Sequence, residues 1–205
     1  PYKAQAWNIA RFTDGRFAPR DSDLAEDVQG LDALEPEGLP ERMPLRTPVP
    51  PDPMLPSLLL LTEEEGRVEE FAPERYDIRA AATLSASHLR SPRNVAPRVA
   101  AFEADALADT AARAGVPATP LRAGVPGDLA ALAARAGARQ IVTGYVPTGP
   151  LRDWLDAAQP ALEARGIVVA EWQRDWDAAI WPHATAGFFK VKKIIPNLLV
   201  DAGLA

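Results

Sequence analysis

The sequence predicts an α/β protein with a doubly wound, mostly parallel sheet of about five strands. Three observations support this prediction. Short apolar runs alternate with longer amphipathic segments between residues 57 and 170. Glycines and prolines fall at the joints, where helices and strands begin and end. One block, residues 125–153, holds in order a helix, a strand, a loop and the start of a second helix, which is the crossover unit of a parallel sheet.

The predicted strands are short and apolar. Ser57–Thr62 is a continuous leucine run that suits a strand buried on both faces, and an acidic turn at residues 63–66 ends it. Ile78–Ser85 is a weaker prediction because its alanines also suit a helix. The remaining predicted strands are residues 119–122, 140–143 and 167–170.

The predicted helices lie between these strands. Residues 95–114 have apolar side chains at helical spacing, and Gly115 closes the helix in the position after its last turn. Residues 128–136 form the next predicted helix. Residues 154–165 continue as an amphipathic helix that Gly166 stops.

Composition limits the class of protein. The 205 residues are 47% hydrophobic, enough for the core of one domain with an appendage. The chain has no cysteine, which excludes disulfide bonds and thiolate chemistry. Its net charge of −6 disfavours this chain as the main nucleic-acid contact surface. No stretch approaches the roughly 20 apolar residues that span a bilayer, so we expect a cytoplasmic protein that does not enter the membrane.

Three regions differ in composition. Residues 1–20 hold five large apolar side chains that so short a tail cannot bury, so we expect them to need a partner surface. Residues 21–56 begin acidic and then contain eight prolines, which remove backbone donors and fix φ. This region is predicted to be an extended interdomain linker. Residues 57–205 form the predicted α/β domain, and we interpret the whole as part of a larger protein.

The block at residues 125–153 resembles a segment of the α/β domain in the photolyase/cryptochrome family. In that segment a helix, an alanine-glycine joint, a hydrophobic strand and a tyrosine-containing loop precede an Arg-Asp pair that opens the next helix. Here the tyrosine is Tyr145 and the pair is Arg152-Asp153. The loop lies at the carboxyl edge of the predicted sheet, where such sheets bind ligands.

The resemblance implies an antenna-type cofactor site in this loop. Its candidate cofactor-binding residues are Tyr145, Thr148, Gly149 and Arg152. Folate-carrying members place an Asn-Glu dipeptide where Thr148-Gly149 stands here, so the resemblance does not support a folate antenna. It leaves open whether another antenna chromophore binds.

A second resemblance is carried by the first residues. Pro1-Tyr2 and residues 8–17 are similar to a shortened form of the stretch that ends the helical flavin-binding domain in bacterial photolyase-like proteins. The resemblance implies that residues 1–20 are the tail of an upstream flavin-binding domain. The α/β domain would then follow the flavin domain, which is the reverse of the usual order and amounts to a circular permutation.

Together these resemblances imply a function. The chain would be the α/β part of a flavin-dependent, light-driven DNA repair photolyase acting on pyrimidine dimers. FAD would be bound mainly by the upstream domain, damaged DNA would be contacted through the parent protein, and this chain alone would hold no catalytic or metal-binding residue. The alternative is a cryptochrome-like blue-light sensor or inactive relative whose α/β domain is a scaffold or partner-binding module. A third interpretation is that the chain is an unrelated α/β nucleotide-binding module.

Two other patterns have a structural and a functional interpretation. Trp172, Trp176 and Trp181 are spaced four and five residues apart, which suits an electron-transfer ladder or one packing face of a helix, and we favour packing. His88 and His183 are too isolated to predict a catalytic pair or a metal site.

The segment at residues 187–195 combines two phenylalanines with three lysines. Lysines in this arrangement can contact phosphates. We favour a solvated helix face over an apolar stripe.

Overall fold

The computed structural model describes residues 4–25, 41 and 43–204. The chain divides into two compact units, residues 1–44 and 45–205. The first three residues of the predicted tail and much of the predicted linker therefore lie outside the described residues.

Among the described residues of the first unit are one short helix, α1 (Ala6–Phe12), and a 3-10 turn at Asp21–Asp23. The side chains of Trp7, Phe12 and Phe17 are each more than half exposed. These are three of the large apolar residues for which the sequence predicts a partner surface.

The second unit is built on one sheet of five strands. The strands are β1 (Ser57–Thr62), β2 (Ile78–Ser85), β3 (Ala118–Arg122), β4 (Gln140–Gly144) and β5 (Val168–Trp172). They lie in the order β3-β2-β1-β4-β5, and every neighbouring pair is parallel. The first strand, β1, lies in the middle of the sheet. Strands β2 and β3 follow on one side of it, and β4 and β5 follow on the other side. The order thus reverses between β1 and β4, which is the topological switch point of a doubly wound sheet.

Helices cover both faces of this sheet. The helices of the second unit are α2 (Pro97–Arg113), α3 (Gly127–Arg135), α4 (Pro150–Glu163), α5 (Asp175–Ile180), α6 (Gly187–Lys192) and α7 (Ile195–Asp201). Buried residues of α3 and α4 belong to the core on one face, whereas Ala111 of α2 belongs to the core on the other. The predicted doubly wound α/β fold is therefore confirmed.

The four leucines of β1 supply both cores. Leu58 and Leu60 lie in the core beneath α3 and α4, and Leu59 and Leu61 lie in the core on the opposite face. All four side chains are fully buried. Successive residues of a strand point to opposite faces, so a run without polar residues requires cover on both sides.

Residues 45–56 hydrogen-bond to the sheet although they form no strand. The Gln140 side chain donates to the carbonyl of Asp52 at 2.6 Å. The backbone N–H of Glu171 in β5 donates to the carbonyl of Val49 at 2.8 Å. The segment is rich in prolines, which lack an N–H but keep a carbonyl that accepts. This part of the predicted linker thus belongs to the second unit and lies along the outer edge of β5.

A close approach joins β1 and β4 at the switch point. A Cβ built on Gly144, the last residue of β4, would lie 2.4 Å from both Cβ and Cγ of Glu65. Glu65 follows β1 in the turn that ends the strand, and it is 8% exposed. Only glycine leaves space for that side chain to cross the end of β4.

Gly144→Ala is expected to destabilise the fold by about 1–3 kcal/mol, because the new methyl group overlaps the root of the Glu65 side chain and forces a backbone shift. Urea unfolding followed by circular dichroism measures the loss. Gly127→Ala at the start of α3 is the matched control, since its added Cβ meets nothing within 4 Å. Equal unfolding midpoints for Gly144→Ala and the parent chain would contradict the close approach.

Candidate functional site

The loop after β4 and the first turn of α4 hold the four cofactor-binding residues predicted from the sequence. Tyr145 is half-buried, and its ring lies 4.7 Å from the Arg46 guanidinium and 5.0 Å from the Trp181 ring. Thr148 is exposed, and Gly149 immediately precedes α4. The structure therefore places these residues together at the carboxyl edge of the sheet, with Tyr145 held between an arginine and a tryptophan.

Arg152, the fourth predicted residue, takes part in a buried ion cluster. The cluster is centred on Glu171 of β5, whose side chain is 2% exposed. Its Oε1 accepts hydrogen bonds from Arg46 Nη2 at 2.9 Å, from Arg152 Nη1 at 3.4 Å and from the Val146 N–H at 2.9 Å. Burial opposes the charge of Arg46, but its hydrogen bond and attraction to Glu171 outweigh burial and raise the pKa of Arg46. The Arg152 side chain is therefore directed towards Glu171 in the protein interior.

A second ion cluster fills the switch point. Arg174, just after β5, donates to Glu65 Oε1 at 2.9 Å and to Glu70 Oε2 at 3.0 Å. Its guanidinium also lies 5.0 Å from the centre of the Phe71 ring. The hydrogen bond to Glu65 is the largest cause that raises the pKa of Arg174, and it outweighs the opposing effect of burial.

The space left at the switch point is small. The cavity between these side chains and Tyr145 has a volume of about 130 Å³. Cofactor pockets are typically about 300–1,000 Å³. The chain's own side chains thus occupy most of the crevice in which doubly wound sheets bind their ligands.

The three tryptophans do not share a helical face, so that part of the prediction is wrong, but the favoured packing role is confirmed for Trp172, which is buried. Trp172 ends strand β5 and stacks on Phe71 at 5.3 Å between ring centres. Trp176 lies in α5 and is 38% exposed, and Trp181 lies in a 3-10 turn against Tyr145. The spacing of about four residues suggested a single helix. Instead, the segment from Trp172 to Trp181 runs from the end of a strand, through helix α5, into a 3-10 turn.

The phenylalanine and lysine segment agrees only in part with expectation. Lys190, Lys192 and Lys193 are exposed, which confirms the predicted solvated face. Phe188 and Phe189 are also exposed, at 63% and 76%, so these two rings do not form a buried apolar stripe beneath the lysines.

Glu103 of α2 is a buried acid that the sequence did not single out. Its carboxylate accepts the N–H of Ala86 at 2.6 Å, the N–H of Ser87 at 2.9 Å and the Ser87 hydroxyl at 2.5 Å. These donors belong to the start of the 3-10 turn after β2. Burial disfavours the charged carboxylate, but the hydrogen bonds from Ser87 and Ala86 outweigh burial and hold the pKa of Glu103 below its ordinary value.

The histidines show no catalytic arrangement. Nε2 of His88 lies 2.8 Å from the Ala123 carbonyl, which ties the turn after β2 to the loop after β3. His183 lies in the 3-10 turn that follows α5. Within the described ranges, no group of three or more His, Asp or Glu side chains is placed to hold a metal ion.

None of the described helices is both long enough and apolar enough to cross a bilayer.

The fold and this edge define a doubly wound α/β unit whose switch-point crevice is occupied by the Arg174 cluster, while the Glu171 cluster lies beside it on edge strand β5. Comparisons with protein families and with curated proteins find no match for the chain.

Glu171→Gln is expected to lower the free energy of unfolding by about 2 kcal/mol, because it removes the charge that pairs with two arginines. The value lies below that of a fully buried pair because Arg46 is partly solvated. Asp156→Asn is the control, since it breaks only an exposed pair with Arg152 and should cost less than about 0.5 kcal/mol. Urea unfolding curves that coincide for the two variants would contradict a central role for Glu171.

Glu103→Gln tests the buried acid through pH. A folded-state pKa below the ordinary value of 4.5 means that ionised Glu103 stabilises the fold above that pH, and that the stabilisation is lost as pH falls through the folded-state pKa. The variant should be about 1–2 kcal/mol less stable at neutral pH, and the difference should shrink below about pH 4. Thermal unfolding across pH measures both, with Asp109→Asn as the exposed control on the same helix.

Proposed function

We propose that this chain is the α/β part of a flavin-dependent, light-driven protein of the photolyase/cryptochrome type, with repair of pyrimidine dimers in DNA as the activity of the parent protein. The observation that supports the proposal is the carboxyl edge of the sheet. A doubly wound parallel sheet presents the loop with Tyr145 there, and α4 begins just before the Arg152-Asp153 pair. This arrangement fits the block on which the family resemblance rests.

In this proposal the flavin contacts lie outside the chain. FAD held by an upstream helical domain supplies the electron that splits the dimer, and damaged DNA is bound through the parent protein. The exposed aromatic side chains of the first unit, Trp7, Phe12 and Phe17, would be covered by that upstream domain. The proposal also includes a cytoplasmic location for the protein.

The closed switch point supports a scaffold role for the second unit. Tyr145 contacts Trp181, Arg152 pairs with Glu171, and the cavity of about 130 Å³ beside Tyr145 at the switch point is too small for a folate or a flavin ring system with its substituents. We therefore propose that no antenna chromophore binds at this crevice. The same observation favours the second candidate function, a cryptochrome-like sensor in which the α/β unit is a scaffold.

The absorption spectrum of the protein expressed from its complete coding sequence tests the proposal. The near-ultraviolet and blue absorption bands of an oxidised flavin should be present and should bleach under blue light with a thiol reductant. A colourless folded protein would refute the flavoprotein proposal. Restoration of intact thymines in dimer-containing DNA then separates the repair enzyme from the sensor.

Tyr145→Ala tests the scaffold role in the same protein. Without an antenna at the switch point, the variant should keep the parent's absorption spectrum and photoreduction rate. Thr148→Ala, an exposed change in the same loop, is the control. Loss of a near-ultraviolet band in Tyr145→Ala alone would show that an antenna chromophore binds there.

A further inference from the structure

A larger cavity opens at the carboxyl ends of β2 and β3, in the half of the sheet that does not contain β4 and β5. It is bounded by the 3-10 turn Ser87–Arg90, the loop that follows this turn and the first half of α2. Its volume is about 610 Å³, whereas the cavity at the switch point has about 130 Å³. Pockets for small molecules are typically about 300–1,000 Å³. This cavity therefore has room for a ligand that the switch point lacks.

Polar side chains form much of the cavity wall. They include Ser85, Ser91, Arg93, Asn94 and Arg122. Ser85 and Arg122 are register partners at the ends of β2 and β3, so the sheet itself fixes their backbone positions. In the loop before α2, the N–H of Arg93 donates to the Ser91 hydroxyl at 3.1 Å. The wall thus brings side chains from two strands and one loop to the carboxyl edge, where parallel sheets bind ligands.

The two arginines of this wall are not paired within the chain. Arg93 and Arg122 are exposed, and neither guanidinium makes an ion pair or a hydrogen bond with another described residue. At the switch point, in contrast, Arg174 pairs with both Glu65 and Glu70. Cations that line a concave surface without acidic partners raise the local concentration of anions. Two guanidinium groups are therefore available to a ligand in this cavity.

Glu103 is the acid of the wall, and its oxygens are already engaged. They accept the N–H of Ala86 at 2.6 Å, the N–H of Ser87 at 2.9 Å and the Ser87 hydroxyl at 2.5 Å. Two arginines and one carboxylate leave the wall with one excess positive charge, in a chain whose net charge is −6. The local charge therefore favours an anionic ligand, against the charge of the whole chain.

Helix α2 strengthens this preference and supplies an apolar surface. It is 17 residues long and has no acidic residue in its first turn, where Ala100 lines the cavity. The first turn of a helix carries a partial positive charge. Val95 and Ala104 also line the cavity and present apolar groups to it. A ligand with an anionic end and a compact body fits this combination.

We propose that this cavity binds a small phosphate monoester, a sugar phosphate or a mononucleotide. Its phosphate carries about 1.5 to 2 negative charges at neutral pH, which two arginines balance. The planar guanidinium of Arg93 or Arg122 matches pairs of phosphate oxygens. The body of the ligand lies between Val95 and Ala104. This site is separate from the switch point and does not depend on the flavoprotein proposal.

Titration of the 205-residue chain with AMP and with ribose 5-phosphate tests the site, with backbone amide chemical shifts as the readout. At least one of them should bind saturably and shift the amides around Ser91 and Arg122, and added salt should weaken the binding. Adenosine, which lacks the phosphate, should not bind there. Absence of saturation with both phosphates, or equal affinities for AMP and adenosine, would overturn the proposal.

Arg93→Gln and Arg122→Gln test the charge. Each should weaken binding of the phosphate by about fivefold or more, because a charge-assisted hydrogen bond is lost. Both side chains are exposed and unpaired among the described residues, so the unfolding midpoint should not change. Arg98→Gln is the matched control, since Arg98 is an exposed arginine of α2 outside the cavity wall. Its affinity should stay within about twofold of the parent's. Parent-like affinity in the variant with both Arg93→Gln and Arg122→Gln would refute the site.

Ala104→Leu tests the cavity independently of charge. The larger side chain fills space beside the arginines, so it should weaken binding several-fold while both guanidinium groups remain. Leucine is a good helix former, and Ala104 is exposed, so α2 should keep its stability. Ala101→Leu is the control, because Ala101 is an exposed alanine of the same helix outside the wall. Equal affinities for these two leucine variants would show that the phosphate binds outside the cavity.

Discussion

The burial of β1 on both faces is the constraint on which the rest of the second unit depends. Leu58 and Leu60 need cover from α3 and α4, while Leu59 and Leu61 need cover from the opposite side, where α2 lies. Burial of a leucine side chain contributes about 2 kcal/mol, so loss of either layer would expose two of them. Because only a central strand is covered in this way, β1 takes the middle of the sheet, and the reversal of strand order beside it follows.

That reversal creates a crevice, and the chemistry of its side chains decides what the crevice can do. Phosphate-binding sheets leave backbone N–H groups free after the first strand. Here an acidic turn follows β1, and Glu65 crosses Gly144 to reach Arg174. The acidic turn after β1 therefore disfavours an anionic ligand at the switch point.

The sequence predicted the sheet well because local signals determine its strands. The bounds of β1 and β2 agree with prediction since apolar runs and flanking turns mark them clearly. The ion clusters were not predictable, because Arg46 and Glu171 are 125 residues apart and each resembles an ordinary surface charge until the fold joins them. The position of Glu171, an acid directly after an apolar predicted strand, weakly indicated a buried carboxylate. The identity of its partner depends on tertiary structure.

Proline stands at both edges of the sheet. Pro120 lies within edge strand β3, and the proline-rich stretch through Val49 accepts the hydrogen bond of β5 on its outer side. A residue without an N–H cannot extend a ladder of backbone hydrogen bonds to another chain. Each edge of the sheet thus offers fewer free backbone N–H groups to an added strand, which disfavours edge-to-edge association of a leucine-rich parallel sheet.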